Sequence, residues 1–158
     1  MPVAPQPAVV TTHSPEATEA FGARLGARLR AGDVVALVGP LGAGKTVFAR
    51  GIAIGAGATG YIASPSFVLI REYDGPIRIY HIDLYRLERR EDVAYLGLED
   101  LLGGPAIAVV EWADRAPWLL PADHLLVACA LASDEQTRVF TLTVPPSMRG
   151  RLAAALGV

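Results

Sequence analysis

The chain has 158 residues, 52% of them hydrophobic and 19% charged, and its formal net charge is −2. This length and composition fit one globular domain with a sizeable core and exclude a disordered chain. The small negative charge excludes a protein that holds nucleic acid by a large basic field alone, and the single cysteine, Cys129, excludes an internal disulfide and a cysteine zinc cluster.

The first predicted elements are an extended lead-in over residues 1–10 and a helix that starts after Ser14 and ends at Gly32. The lead-in has no basic residue and is therefore not typical of a signal peptide. No apolar stretch approaches the ~20 residues that cross a bilayer, so we expect a cytoplasmic protein without a membrane partner. Ser14 suits the N-cap position because a proline and an acidic residue follow it. Residues 33–38 are almost entirely apolar and predict a buried strand, and residues 46–54 continue as a second helix.

The loop between this strand and this helix is the most informative part of the sequence. Residues 39–46 read Gly-Pro-Leu-Gly-Ala-Gly-Lys-Thr and fit the P-loop pattern Gly-x4-Gly-Lys-Thr. Lys45 is the only lysine of the chain, and in a P-loop it would bridge the β- and γ-phosphates of a nucleotide while the Thr46 hydroxyl ligates Mg²⁺. The pattern predicts a protein that binds a nucleotide and Mg²⁺, through Gly39, Leu41, Gly42, Ala43, Gly44, Lys45, Thr46 and Val47.

The second half of the chain predicts two antiparallel hairpins on either side of a further buried strand. The turn signal Asp74-Gly75 separates the strands of the first hairpin, and a polar turn over residues 133–136 separates those of the second. The predicted strands are 67–73, 76–82, 106–112, 125–132 and 137–144, and a closing helix covers 148–156. We therefore expect one domain over residues 1–158 with an α/β fold, namely a P-loop NTPase-like three-layer sandwich whose mixed central sheet includes antiparallel hairpins.

Two acidic residues stand where predicted strands end. Asp83 follows the strand over residues 77–82, and Glu111 closes the apolar run 107–110. Ligand sites in open α/β sheets collect at such strand ends, so we expect both carboxylates beside Lys45 as catalytic groups. Either one could hold Mg²⁺ together with Thr46, directly or through water, and the other could orient the attacking water. His81 is expected to be a packed strand residue.

Taken together and in order, the motifs resemble the TsaE (formerly YjeE) family of bacterial ATPases. The resemblance runs from residue 14 to about residue 140 and rests on the P-loop, Ser64-Pro65-Ser66-Phe67, Glu72-Tyr73, His81-x-Asp83-Leu84-Tyr85-Arg86-Leu87 and Glu111-Trp112. It implies hydrolysis of ATP in support of threonylcarbamoylation of adenosine 37 in tRNAs that read ANN codons. The implied partners are the TsaD and TsaB proteins, which form the transferase complex and bring in the tRNA, while TsaC makes the threonylcarbamoyl-adenylate.

The resemblance also implies roles for individual residues. Ser66 stands where the family has threonine in a Ser-Pro-Thr motif, and its hydroxyl implies a contact near the γ-phosphate or the metal. Val47 stands where a second threonine is common, which removes one hydroxyl near the α-phosphate and would weaken nucleotide binding modestly. His13 and Arg138 are implied to flank the adenine. Apart from the resemblance, the position of Trp112 beside Glu111 allows it either to cover the nucleotide or a partner or to pack in the core.

Other functions remain open from the sequence. A small P-loop metabolite kinase would close an arginine-bearing lid, but no lid-length insertion follows the P-loop helix. A GTPase needs an Asn-Lys-x-Asp motif, which is impossible in a chain whose only lysine is Lys45. A third alternative is a nucleotide-dependent assembly module with negligible turnover of its own. The cluster of Arg86, Arg89 and Arg90 would neutralise only a few phosphates, so tRNA is expected to bind only through the partner complex.

Overall fold

Eight strands and five helices form the part of the chain that the computed structural model describes, which is residues 7–62, 70–95 and 97–157. The strands, in chain order, are β1 (Ala8–Thr12), β2 (Val34–Val38), β3 (Gly60–Ile62), β4 (Ile70–Asp74), β5 (Arg78–Asp83), β6 (Ala106–Glu111), β7 (Leu125–Leu131) and β8 (Arg138–Thr143). The helices are α1 (Pro15–Gly26), α2 (Lys45–Gly55), α3 (Arg90–Tyr95), α4 (Leu98–Leu101) and α5 (Arg149–Leu156). Among the described residues, none of the helices has the length and apolar character needed to cross a membrane.

All the strands belong to one mixed sheet, in the order β1-β8-β7-β2-β6-β5-β4-β3. The four central strands β7, β2, β6 and β5 run parallel, whereas the pairs at both edges are antiparallel. Strands β2 and β6 are almost wholly buried, as their apolar sequences require in the middle of a parallel sheet covered on both faces. The predicted mixed sheet with antiparallel hairpins is confirmed.

Helices cover both faces of the sheet and make three layers. On one face, α1, α2 and α5 pack on inward residues that include Val35, Leu37 and Val109. On the other face, α3, α4 and the 3₁₀ turns Ala113–Arg115 and Pro117–Leu119 pack on the alternate residues, such as Ala36 and Val110. This division follows from the period of two along each strand, which sends successive side chains to opposite faces.

Some predicted boundaries need correction. Helix α1 starts as expected, with the Ser14 hydroxyl accepting the Ala17 N–H at 3.0 Å, but it ends at Gly26 and not at Gly32. The cause is a turn before β2, in which the Asp33 carboxylate accepts the Arg30 N–H at 2.7 Å. Residues 8–10 of the expected lead-in belong to β1, which pairs with β8. The short elements β3, α3 and α4 were not predicted, and residues 67–69 of the strand expected over residues 67–73 lie outside the described residues.

Helices α1 and α2 pack against each other through glycine. Gly22 of α1 lies against Phe48 and Gly26 lies against Ile52, so the two helices run in the same direction. A Cβ at Gly22 would lie 2.5 Å from the carbonyl oxygen of Phe48, closer than real Cβ atoms approach. The phenyl ring of Phe48 also packs on Phe140 of β8 with 5.1 Å between centroids. These contacts place the start of α2 beside the ends of β2 and β6.

Candidate functional site

The glycine-rich loop between β2 and α2 has the backbone that a phosphate cradle needs. Gly39, Gly42 and Gly44 have φ values of 138°, 80° and 91°, which residues with a Cβ rarely adopt. A Cβ at Gly39 would also clash with the carbonyl oxygen of Cys129 on β7. Gly44 is the N-cap of α2 and provides no side-chain cap, so the first N–H groups of this helix are available to an anion.

Lys45 is buried and its ammonium turns back into the loop. Its Nζ donates to the carbonyl oxygens of Gly39 and Pro40, both at 2.7 Å, and lies 4.1 Å from the centroid of the Trp112 ring. Burial lowers the pKa of Lys45, and the charges of nearby carboxylates, including Glu111, offset only part of this effect. An ammonium held by neutral carbonyls and a ring can exchange them for phosphate oxygens, which are stronger partners.

Glu111 at the end of β6 is the buried acid of the site. The Thr46 hydroxyl donates to its Oε1 at 2.9 Å, and the His81 Nε2–H donates to its Oε2. Burial by itself would raise the pKa of the Glu111 carboxyl, but the hydrogen bonds from His81 and Thr46 and the charge of Lys45 lower it below its ordinary value. Glu111 is therefore a carboxylate at neutral pH with both oxygens fixed in position.

Asp83 ends the neighbouring strand β5, directly opposite Glu111 in the parallel register. Its Oδ1 accepts the N–H of Tyr85 at 2.9 Å. A cavity of about 50 Å³ is lined by Thr46, Arg71, His81, Asp83 and Glu111. The structure thus brings together the P-loop threonine and the two predicted strand-end acids.

The donors around this cavity fit Mg²⁺. Thr46, Asp83 and Glu111 offer hydroxyl and carboxylate oxygens, which are the ligands that Mg²⁺ prefers. Within the described ranges, no group of three or more His, Cys, Asp and Glu side chains is arranged to hold a metal by itself. Mg²⁺ is usually held by one or two carboxylates together with phosphate oxygens and water.

The residues expected near the adenine lie on the other side of the loop. Arg138 at the start of β8 donates from Nε to the carbonyl oxygen of Gly42 at 3.1 Å. Arg138 and Val47 line a cavity of about 150 Å³ together with Pro15, Thr18, Glu135 and Gln136. The Nδ1 of His13 lies 3.1 Å from the hydroxyl of Thr137, next to Arg138. Leu41 is 70% exposed at the loop tip, Ala43 is buried, and Ser66 lies outside the described residues.

Trp112 follows Glu111 and has an unusual backbone. Its φ of 56° is the only positive value among the described residues other than glycine, a conformation that costs free energy for a bulky side chain. The conformation places the indole against the Tyr85 ring, with 4.9 Å between centroids, and beside Lys45. Trp112 therefore forms part of the wall around the lysine and also packs on the buried residues of the sheet face that α3 and α4 cover.

Two residues of the site were missed or underrated by the sequence reasoning. His81, expected to be only packed, bonds to Glu111, and Arg71 was not considered. For His81 a signal existed, because residues two apart on a strand share a face and His81 stands two before Asp83. For Arg71 there was none, since its place depends on the pairing of β4 with β5.

The family comparison agrees with this geometry. The model for the family described as "Threonylcarbamoyl adenosine biosynthesis protein TsaE" matches residues 12–140. The chain belongs to the TsaE family. The resemblance noted in the sequence is thereby confirmed.

Relatives in this family match most of the chain. The TsaE of Bacillus subtilis is 39% identical over 129 residues, covering 81% of this chain and 80% of the relative. The TsaE of a Nostoc species is 46% identical over 133 residues, with 81% and 80% covered. Both bear the name tRNA threonylcarbamoyladenosine biosynthesis protein TsaE. The crystal structure of Bacillus subtilis YdiB superposes with a TM-score of 0.77 at 33% identity and covers 96% of this chain and 95% of YdiB.

Proposed function

We propose that this TsaE-family protein is a Mg²⁺-dependent ATPase that supports the formation of threonylcarbamoyladenosine in tRNA. The observation that carries the ATPase proposal is the meeting of Lys45, Thr46, Asp83 and Glu111 at the start of α2. The names of the relatives support the role in tRNA modification.

In the proposed reaction the loop binds the phosphates of ATP. The N–H groups at the start of α2 donate to phosphate oxygens, and the Lys45 ammonium moves from the carbonyls of Gly39 and Pro40 to the β- and γ-phosphates. Bound Mg²⁺ would neutralise charge on the same phosphates. Since Lys45 is buried, its charge acts in a medium of low dielectric constant, which strengthens its attraction to the charge that develops at the γ-phosphate.

The two acids have different environments, which suggests different roles. Glu111 is tied to Thr46 and so belongs on the metal side of the site. Asp83 has one oxygen engaged by the Tyr85 N–H, and its other oxygen has no hydrogen bond among the described residues, so it can orient a water molecule. The water oxygen bonds to the γ-phosphorus, the bond to the β–γ bridging oxygen breaks and ADP leaves with that electron pair. One hydrogen of the water stays on the oxygen that has joined the phosphorus, and the other passes as a proton to a second oxygen of the released phosphate.

The proposal includes ATP as the preferred nucleotide and TsaD and TsaB as partners in the cytoplasm. The only lysine lies in the P-loop, so no guanine-reading lysine motif exists. The net charge of −2 supports indirect contact with tRNA through the partner complex. Calorimetric titrations with ATP and GTP, and filter binding of tRNA to the isolated chain, check these two statements. Equal affinities for the two nucleotides, or tight binding of tRNA by the chain alone, would contradict them.

The decisive experiment is mass spectrometry of tRNA nucleosides after depletion of the protein, followed by complementation. We expect threonylcarbamoyladenosine to fall, wild type to restore it, and Lys45→Ala to fail. Lys45→Arg should also be poor, because a planar guanidinium does not fit the place of a compact ammonium. ATP turnover measured with and without TsaD and TsaB then separates an ATPase from an assembly module. Full restoration by Lys45→Ala would refute a nucleotide-dependent role.

A further inference from the structure

Arg71 on β4 faces the same cavity as the acids of the proposed site. It lies directly opposite His81 in the antiparallel pairing of β4 with β5, and residues opposite each other share a face of the sheet. His81 and Asp83 are two apart on β5, and Asp83 lies opposite Glu111. All four side chains therefore project to the face of the sheet on which α2 packs. They lie near the first turn of α2, and Thr46 of that turn also lines the cavity.

Among the described residues, the guanidinium of Arg71 makes no hydrogen bond and no ion pair. Two other arginines pair with acids: Arg78, on the same hairpin, pairs with Glu72, and Arg151 pairs with Asp33. Arg71 instead lines a cavity that contains two carboxylates without pairing with either, so its charge is available to an anion that enters the cavity.

We propose that Arg71 is a second cationic ligand, after Lys45, for the terminal phosphate of bound ATP, supplied by the same chain. This inference rests on the proposed ATPase function. Lys45 reaches the phosphates from the loop, whereas Arg71 reaches them across the cavity from β4. A guanidinium matches phosphate because it donates two parallel hydrogen bonds to two oxygens. ADP lacks the terminal phosphate, so Arg71 favours ATP over ADP and releases its ligand when the phosphate leaves.

The test is calorimetric binding of two probes, Mg²⁺ with the β,γ-imido analogue of ATP and Mg²⁺ with ADP, to the full chain. We expect Arg71→Ala to lower the affinity for the ATP analogue about ten-fold, as the loss of a charge-assisted hydrogen bond does. The affinity for ADP should change less than about two-fold. Arg71→Lys keeps the positive charge but cannot donate two parallel hydrogen bonds, and its affinity should fall about three-fold for the ATP analogue alone. Arg50→Ala, which removes an exposed arginine from α2, is the matched control for net charge and should bind both probes as wild type does.

The other outcomes overturn the inference. Unchanged affinity of Arg71→Ala for the ATP analogue would show that Arg71 does not touch the terminal phosphate. Equal weakening for both probes would show a general effect of charge or fold, and the thermal midpoint without nucleotide separates these two causes. Tighter binding of Mg²⁺ to Arg71→Ala than to wild type would show that Arg71 only neutralises the carboxylates. If wild type binds neither probe, the proposed function fails as well. If wild type binds both and the variants keep its preference, only the Arg71 inference fails.

Discussion

The contact between α1 and α2 allows a quantitative prediction for Gly22→Ala. In an open helix, alanine in place of glycine stabilises by about 1 kcal/mol. At Gly22, however, the new Cβ would lie 2.5 Å from the Phe48 carbonyl oxygen and 3.1 Å from the Gly51 Cα, whereas ordinary contact begins at 3.4 Å. Because these are backbone atoms, the helices must separate by about 1 Å, which forfeits a quarter to a half of the dispersion energy along the interface. Overpacking of this kind costs about 1–3 kcal/mol, and after the gain of about 1 kcal/mol from helix propensity we expect a net loss of about 1 kcal/mol.

Urea denaturation followed by circular dichroism measures this loss. Gly150→Ala is the matched control, because Gly150 is helical, exposed and has nothing within 4 Å of a Cβ; it should gain about 0.5 kcal/mol. Gly22→Ala should also weaken nucleotide binding, since α2 carries Lys45 and Thr46 at its first turn. If the two variants have the same unfolding midpoint, close approach of α1 and α2 is not what requires glycine at position 22.

Three further predictions concern other buried groups. His81→Ala removes a hydrogen bond that lowers the pKa of Glu111, so the pKa of Glu111 should rise in this variant. Because the carboxylate is then protonated at a higher pH, the loss of Mg²⁺-dependent nucleotide binding at acid pH should also move to higher pH, as measured by calorimetry. Burial raises the pKa of Cys129 to about 12, so its thiol should resist iodoacetamide at neutral pH in the native protein and react after unfolding; equal rates would contradict this. Arg151→Ala leaves the buried Asp33 without its bidentate partner and should lower the free energy of unfolding by about 2 kcal/mol. A loss smaller than the error of urea denaturation would show that the ion pair does not contribute to stability.

Features that depend on neighbouring residues could be read from the sequence. The P-loop, the N-cap at Ser14, the turn at Asp74-Gly75 and the acids at the ends of β5 and β6 are all found where they were expected. Each is specified by a few consecutive residues, since backbone conformation, capping and strand termination are local properties. The α/β class followed from their order along the chain.

Only the tertiary structure decided which distant residues meet. The hydrogen bond from His81 to Glu111 and the place of Arg71 in the cavity require the registers between β4, β5 and β6, which are set by many side chains at once. The pairing of β1 with β8 and the glycine contact between α1 and α2 join segments more than twenty residues apart. The sequence by itself determined what chemistry the chain carries, because motifs are local. The fold determined how those groups are arranged, because register and helix packing are cooperative over the whole sheet.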